Sequence, residues 1–250
     1  MVGAVPVCLA AAGDAPVAGA TSSFQPFSWQ GFYGGVQFGY GWGKADTDVT
    51  PLPTAVQFIN LAPTTENPNP KGVVGGLQAG YNRQIGKIVV GAETDFSLSD
   101  MRGSKDISPI IQNNGTPFPG NGRMTVHQDT DWFGTLRLRF GIAPIPKLLL
   151  YGTGGLAYGH VNYEANTDFR PVGTCRYPTS FSKAKLGWTL GAGGEFALSR
   201  RWSVKAEYKY YDLGSESETV NPIPANPPFQ EEYKWQTTAH IVNLGLNYRF

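Results

Sequence analysis

The feature that most constrains the fold of this chain is an alternation of apolar and polar side chains with a period of two residues. Between Phe32 and Trp42, the even-numbered positions are aromatic, aliphatic or glycine, and the odd-numbered positions are mostly glycine or polar. Such alternation is typical of a β-strand with one apolar face. It recurs along the chain and predicts eight strands, at about 29–43, 73–82, 88–98, 131–141, 148–161, 185–197, 202–212 and 237–250. Segment 148–161 has apolar residues on both faces, so its register stays open.

The connections between these strands alternate in length. The short gaps are 83–87, 142–147 and 198–201, and the long gaps are 43–72, 99–130, 162–184 and 213–236. This rhythm is typical of an all-β, eight-stranded antiparallel up-and-down transmembrane barrel with long extracellular loops and short periplasmic turns. We expect both chain ends on the side of the short turns. All 19 prolines fall outside the predicted strands, which fits because proline cannot donate to a strand ladder.

Composition narrows the class of protein. Charged residues make up only 16% of the 250-residue chain, against roughly 25% in an average soluble domain. The formal net charge is +1, which argues against nucleic acid as a partner because such proteins carry a basic excess. The sequence has no uninterrupted apolar block of the ~20 residues that a transmembrane helix needs. If the chain enters a membrane, it therefore does so as a closed barrel.

The size of the barrel decides which face contacts lipid. Eight strands enclose little more than the space that their own side chains fill. The large aromatic residues of the apolar face are too bulky for that interior, so we predict that this face points to lipid. The interior then receives charges of both signs, which we predict to form a salt-bridge network because unpaired buried ions are costly. Its members are Glu93, Asp95, Arg137, Arg139, Glu195, Lys205, Glu207, Lys209 and Arg249.

Several strands carry motifs that resemble a known family. They are WQGFYGG from Trp29, GAETDF from Gly91, DWFGTLRLR from Asp131, YGTGGLAYG from Tyr151, GWTLGAGGEF from Gly187, KAEYKYYDLG from Lys205 and the terminal NYRF. Together they are similar to the small outer-membrane immunogenic proteins of Gram-negative bacteria, often labelled "porin family" and related to the OmpA transmembrane domain. The resemblance covers roughly Trp29 to Phe250. It implies an eight-stranded outer-membrane barrel and supplies no catalytic residues.

The C-terminal residues carry a further implication of this resemblance. Leu246, Tyr248 and Phe250 occupy alternate positions at the end of the last predicted strand. They look like the signal that the barrel-assembly machinery reads. We therefore expect this machinery, outer-membrane lipid and lipopolysaccharide as partners, together with host or surface ligands that bind the loops.

The segment before Trp29 is interpreted as targeting sequence rather than structure. Ala10-Ala11-Ala12 resembles a cleavage site of small residues, so residues 1–28 are predicted to be a signal-peptide remnant and spacer, and 29–250 the barrel domain. The two cysteines, Cys8 and Cys175, give neither a disulfide framework nor a metal-ligand spacing. We expect no metal and no cofactor, and Cys175 is interpreted as a loop residue.

Three patterns in the sequence could indicate an enzyme. GTGGLA from Gly152 matches a dinucleotide-binding pattern but lies inside a predicted strand with no helix after it. Glu93 and Asp95 could form a carboxylate pair for glycoside hydrolysis, although partnership with Arg137 and Arg139 explains them better. The histidines His127, His160 and His240 lie in different segments, and the sequence has no Gly-x-Ser-x-Gly motif; His127 is the one position worth testing. We therefore predict no enzymatic activity.

The sequence favours an integral protein of the bacterial outer membrane with a structural and surface-interaction role. The main alternative is a narrow, low-conductance porin for ions or small solutes. A soluble lipocalin-like carrier is a third class, against which the outward apolar face argues.

Overall fold

The structure is a computed structural model that describes residues 27–52, 64–118, 122–169, 175–223 and 230–250. Its strands are β1 (Gly31–Lys44), β2 (Thr47–Pro51), β3 (Thr64–Glu66), β4 (Lys71–Ile85), β5 (Ile88–Ile107), β6 (Arg123–Ile145), β7 (Leu148–Asp168), β8 (Arg176–Ala197), β9 (Trp202–Val220) and β10 (Glu231–Arg249). Among the described residues, no helix has the length and apolarity of a membrane-spanning one.

Eight of these strands form a closed antiparallel ring. Each strand pairs with its neighbours in the order β1-β4-β5-β6-β7-β8-β9-β10, and β1 pairs with β10 from Tyr33–Arg249 to Lys44–Thr238. The predicted eight-stranded barrel is thus confirmed. Two short strands in the first long gap were not predicted: β2 pairs with the start of β10, and β3 pairs with β2.

The ring strands are longer than the alternation predicted. On the side away from the short turns, β5 continues to Ile107, β6 begins at Arg123, β7 ends at Asp168 and β9 ends at Val220. Much of what we expected to be long loops is therefore sheet. We call residues 31–42, 73–85, 88–98, 132–145, 148–160, 186–197, 202–212 and 240–249 the spanning section. The described residues beyond it on the side away from the short turns are called the outer extension.

The spanning section has apolar residues outside and polar residues inside, as predicted. On β6 the outward Leu136 and Leu138 are 55% and 74% exposed, whereas Arg137 between them is 1% exposed. The outward side of the section is lined with aromatic residues at both ends. Trp42, Trp132 and Trp188 lie toward the outer extension, and Trp202 and Tyr248, whose rings are 5.1 Å apart, lie near the short turns. Such girdles mark the two interfaces of a membrane.

The outer extension reverses this arrangement. On β6, Met124 and Val126 point inward and are buried, whereas Arg123 points outward and is exposed. The change occurs at Asp131, an extra residue on β6 where its pairing with β7 shifts from Thr130–Val161 to Trp132–His160. A bulge of one residue changes which parity faces inward. The interior of the outer extension is consequently an apolar core.

The register of β7, which the sequence left open, is set by its pairing with β6 and β8. Odd-numbered residues such as Leu149, Thr153 and Val161 point inward, and Leu150 and Leu156 point outward. Both faces are apolar because the inward Leu149 packs with Trp29 and Val89 in an apolar cluster at the turn end of the interior, whereas the outward leucines lie on the lipid-facing side.

Two prolines lie in strand segments that the sequence analysis interpreted as long loops. Pro51 is the last residue of β2, and Pro178 lies within β8. In the part of β8 that precedes Trp188, the strand pairs with β7 but not with β9. Pro178 therefore lies on a stretch with one free edge, where proline is tolerated.

The short connections and the described chain ends share one side of the barrel. Gly86, in the turn between β4 and β5, has a φ of +62°, a left-handed conformation that glycine adopts without steric cost. Trp29 packs at this end, and its indole Nε1 donates to the carbonyl of Pro146 at 3.0 Å. The predicted leader lies, up to residue 26, outside the described residues, so the division of the chain at residue 28 stays a prediction.

The outward apolar face generates a test of orientation. We expect Leu136→Arg to lower the free energy of unfolding by about 2–4 kcal/mol, because it places a charge on the lipid face near the midplane. The matched control is His127→Arg, an outward position of β6 in the outer extension, where we expect a change within about 0.5 kcal/mol. Urea titration of the refolded protein in detergent or vesicles measures both. A neutral Leu136→Arg together with a costly Thr135→Leu would show that the faces are reversed.

Candidate functional site

The barrel interior at mid-height holds an ionic cluster assembled from four strands of the ring. Glu93 and Asp95 point inward from β5, Arg137 and Arg139 from β6, Glu195 from β8, and Lys205, Glu207 and Lys209 from β9. We call these eight residues the interior charge network. Pairing across strands places Glu93 opposite Arg137 and Glu195 opposite Lys205, so residues of opposite charge are directly adjacent on the inner face.

Arg137 is the centre of the network. Its guanidinium donates through Nη1 to Glu207 at 2.7 Å and through Nη2 to Asp95 at 3.0 Å, and Nη2 also contacts Glu93. The Thr153 hydroxyl accepts a further bond from Nη1 at 2.9 Å. The planar guanidinium offers several donors in a fixed geometry, and here one group joins three carboxylates. None of these side chains is exposed to solvent.

Arg139 forms a second layer, closer to the short turns. It is paired with Glu195 and lies over the ring of Tyr151 at 3.6 Å from the centroid. The hydroxyl of Tyr33 donates to Glu93 at 2.7 Å and so links this layer to the first. Tyr33 fits because Gly80 faces it: a Cβ at Gly80 would collide with the Tyr33 hydroxyl.

The two lysines complete the charge balance. Lys205 Nζ lies 3.0 Å from Glu93 and 3.3 Å from Glu207, and Lys209 Nζ lies 3.2 Å from Asp95. The network therefore contains four carboxylates and four cations, each with an opposite charge within 4 Å. This balance is what offsets the desolvation of buried ions, which costs several kcal/mol for each unpaired group.

Arg249, which the sequence analysis placed in the network, lies apart from it. Its Nη1 donates to the carbonyl of Ser28 at 2.7 Å, and its guanidinium lies 4.8 Å from the ring centroids of Phe27 and Trp29. It thus attaches the residues before β1 to the end of β10. The sequence could not show this difference because Arg249 follows the same inward parity as Lys205 and Lys209.

Apolar and uncharged side chains close the interior above the network. The rings of Phe133 and Tyr211 stack at 5.3 Å. Beyond them, the hydroxyl of Thr237 bonds to Tyr163 at 2.9 Å and accepts from Gln128 at 3.2 Å. All five side chains are buried.

The residues weighed as catalytic candidates lie in different settings. Glu93 and Asp95 are buried among cations within the network. His160 stacks on Trp132 at 6.0 Å, and His240 stacks on Trp42 at 5.8 Å, so both belong to the outward aromatic girdle. His127 lies on β6, opposite Ser104 and Glu164. Gly152 lies inside β7, and the next element in the described part of the chain is the strand β8.

The described residues contain no group of three or more His, Cys, Asp or Glu side chains placed to hold a metal ion. Cys175, in the described part of the outer extension, is a free thiol, and burial raises its pKa above the ordinary value.

Glu231 is a buried site residue that the sequence analysis missed. It is the first residue of β10 and is fully buried in the outer extension. It lay in a segment interpreted as a loop. The odd positions Glu231, Tyr233 and Trp235 continue the inward parity of β10, and following that alternation further back would have found it.

Two residues of the expected assembly signal, Leu246 and Tyr248, lie on the outward side of β10, and the third, Phe250, directly follows this strand. Phe250 is 84% exposed, its backbone N–H donates to the carbonyl of Phe32 at 3.1 Å, and its ring is 5.4 Å from that of Tyr248. Leu246, two residues earlier, is also exposed.

Comparison with known proteins identifies relatives along nearly the whole chain. A family model described as "Outer membrane protein beta-barrel domain" matches residues 7–250. The 31 kDa outer-membrane immunogenic protein of Brucella melitensis biotype 1 is 36% identical, over 94% of this chain and 89% of its own length. The 22 kDa outer membrane protein of Rhizobium leguminosarum bv. viciae is 29% identical, over 89% of this chain and 79% of its own.

A solved structure shares the fold. The outer membrane protease OmpT of Escherichia coli gives a TM-score of 0.51 at 10% identity, over 88% of this chain and 96% of that one. At this identity, the likeness concerns the fold alone.

The network generates a test of its energetic role. We expect Arg137→Ala to lower the free energy of unfolding by about 3–5 kcal/mol, because it leaves buried carboxylates without their partner. The matched control is Arg123→Ala on the same strand, whose ion pair with Asp106 at 2.9 Å has side chains 62% and 56% exposed; such surface pairs contribute at most about 1 kcal/mol. Denaturant titration in detergent micelles compares the two. Equal losses would contradict a stabilising role for the network.

Proposed function

Because this chain belongs to the family of outer membrane protein β-barrel domains and resides in the bacterial outer membrane, we propose that it acts there as a closed structural barrel that presents its outer extension to ligands. The observation that carries the proposal is the filled interior: eight paired charges lie below an apolar core. A solute would have to displace both layers in order to pass.

The closed barrel is favoured over the porin alternative by the way the charges are used. A conducting pore needs charged side chains that face water, as in the rings that give channels their selectivity. Here the side chains of Arg137, Glu93 and Glu207 are inaccessible to solvent. The same burial argues against glycoside hydrolysis by Glu93 and Asp95, and we propose no enzymatic activity for the chain.

The outer extension is the part suited to contacts outside the cell. Its outward face is polar, and near the outer end of the spanning section Lys71 of β4 lies directly opposite Arg102 of β5. Arg102 is exposed and pairs with Asp100 at 2.8 Å. Adjacent exposed cations at this level fit the phosphate groups of lipopolysaccharide. We propose lipopolysaccharide as a lateral partner, and host or surface molecules as ligands of the loops.

The exposed C-terminal aromatics support a separate role in assembly. The side chain of Phe250 is largely exposed, so packing does not explain why an aromatic residue occupies this position. Recognition of the C-terminal pattern by another protein explains it better. We propose that Leu246, Tyr248 and Phe250 are read by the barrel-assembly machinery.

Conductance tests the closed barrel directly. We expect the purified protein in planar bilayers at neutral pH to pass no steady current. Arg139→Ala should introduce small leaks, because it removes an interior side chain that fills space beside Tyr151. Leu138→Ala, the neighbouring outward position, is the matched control and should stay closed. Steady conduction by the unmodified protein would favour the porin alternative.

The assembly role can be separated from stability. We expect Phe250→Ala to reduce the amount of folded protein in the outer membrane of expressing cells, and to change the unfolding free energy of the refolded protein by less than about 1 kcal/mol. Heat-modifiable migration on gels measures the folded fraction in membranes. Phe140→Ala, also an exposed aromatic on the lipid-facing side, serves as control and should assemble normally. Equal assembly of both variants would contradict the signal.

A further inference from the structure

The outer extension encloses a cavity separate from the interior charge network. Its volume is about 310 Å³, at the lower end of the roughly 300–1,000 Å³ typical of small-molecule sites. It lies among β2, β3, β5, β6, β7 and β10. Most of its lining is apolar, contributed by Val49, Pro51, Ile107, Ile110, Ile111 and Met124.

Glu231 brings a carboxyl group to this apolar cavity. The side chain is 0% exposed and lines the cavity. Its Oε2 accepts a hydrogen bond from the Tyr233 hydroxyl at 2.8 Å. The Thr167 hydroxyl, which also lines the cavity, lies near the carboxyl group and bonds to the Tyr233 hydroxyl at 2.7 Å. Oε1 of Glu231 is buried and, among the described residues, has no hydrogen-bond partner. An acceptor buried without a donor is destabilising, and more so when it is charged, so the site lacks a hydrogen-bond donor.

The charges around the cavity have one sign. Glu66 of β3 also lines it, and none of the described lining residues is Lys, Arg or His. Burial without a neighbouring cation raises the pKa of Glu231 to about 7. The other titratable groups near it are Tyr233, Tyr177 and Cys175, and burial raises the pKa of each above its ordinary value. These three groups are therefore neutral where Glu231 titrates.

We propose that this cavity binds a small molecule that has a protonated amine on an apolar body, with the amine donating to Oε1 of Glu231. The apolar lining accommodates the body, and the ammonium supplies both the missing donor and the missing positive charge. A bare metal ion fits less well, because the described residues place no third acidic or imidazole ligand there. The site goes beyond the structural role proposed above and does not depend on it.

The two internal methionines make the proposal measurable. Met124 lines the cavity, whereas Met101 is buried elsewhere, with its sulfur 3.9 Å from the Tyr211 hydroxyl. In protein labelled with ¹³C at the methionine methyl groups and folded in micelles, we expect 2-phenylethylamine at about pH 8 to shift the Met124 signal saturably and to leave Met101 unchanged. The uncharged isostere 2-phenylethanol should bind more weakly.

Glu231→Gln tests the carboxylate. It should weaken amine binding roughly tenfold or more, which corresponds to the loss of one charge-assisted hydrogen bond, and should leave the weak binding of 2-phenylethanol nearly unchanged. Lowering the pH below about 7 protonates Glu231 and should weaken amine binding to the unmodified protein in the same way. The pH dependence due to Glu231 should disappear in Glu231→Gln.

Two further variants keep the result interpretable. Glu232→Gln, next along β10 and only partly buried, removes a carboxyl that does not line the cavity and should leave the affinity unchanged. Val49→Trp should fill the cavity and abolish the Met124 shift with both compounds. Equal amine affinity in Glu231→Gln, or no saturable Met124 shift in the unmodified protein, would overturn the proposal. The unchanged Met101 signal reports that each variant is folded.

Discussion

Burying charge inside a sheet that closes on itself is the constraint on which the rest of this structure depends, because each ion removed from water must find a partner. The small radius of eight strands places Arg137 within reach of carboxylates on β5 and β9 together. That proximity allows the network to balance. It also permits the outward side of the spanning section to be mainly apolar, since most polar residues of the strands are used inside. The lipid-facing surface and the filled interior are therefore two results of one arrangement.

The strands solve a second problem, since each crosses from lipid into water. A barrel in lipid needs apolar side chains outside, whereas a barrel in water needs them inside. On β6 the bulge at Asp131 makes this change within one residue, so that the even-numbered Leu136 and Met124 face opposite directions. The outer extension thereby gains an apolar core of its own and continues the sheet without a separate domain. The cavity beside Glu231 exists because this second core is not completely filled.

The parts of the fold that were predictable follow from local pattern. The alternation located the eight ring strands, and the pair Glu93–Arg137 could be anticipated because β5 and β6 follow each other in the chain and are therefore neighbours in an up-and-down barrel. The pair Lys209–Asp95 crosses the barrel and depends on ring closure, which no local pattern encodes. The outer extension was missed because five polar residues, 127–131, interrupt the alternation of β6 where the bulge reverses the parity that faces inward. Arg249 points inward like the residues of the network, but its guanidinium contacts the rings of Phe27 and Trp29. These two residues precede the first strand, so the alternation gives no information about them.

The pairing of Tyr33 with Arg249 joins the first ring strand to the last. Until these two meet, every shorter version of the sheet has two free edges, and each edge offers unpaired backbone groups to any other strand nearby. Contacts so distant along the chain form slowly because a long loop must be closed first. A polypeptide of this topology is therefore most prone to pair with other chains when its sheet is nearly complete but the ring is still open. The free edges of the sheet therefore need protection from other chains most just before β1 pairs with β10.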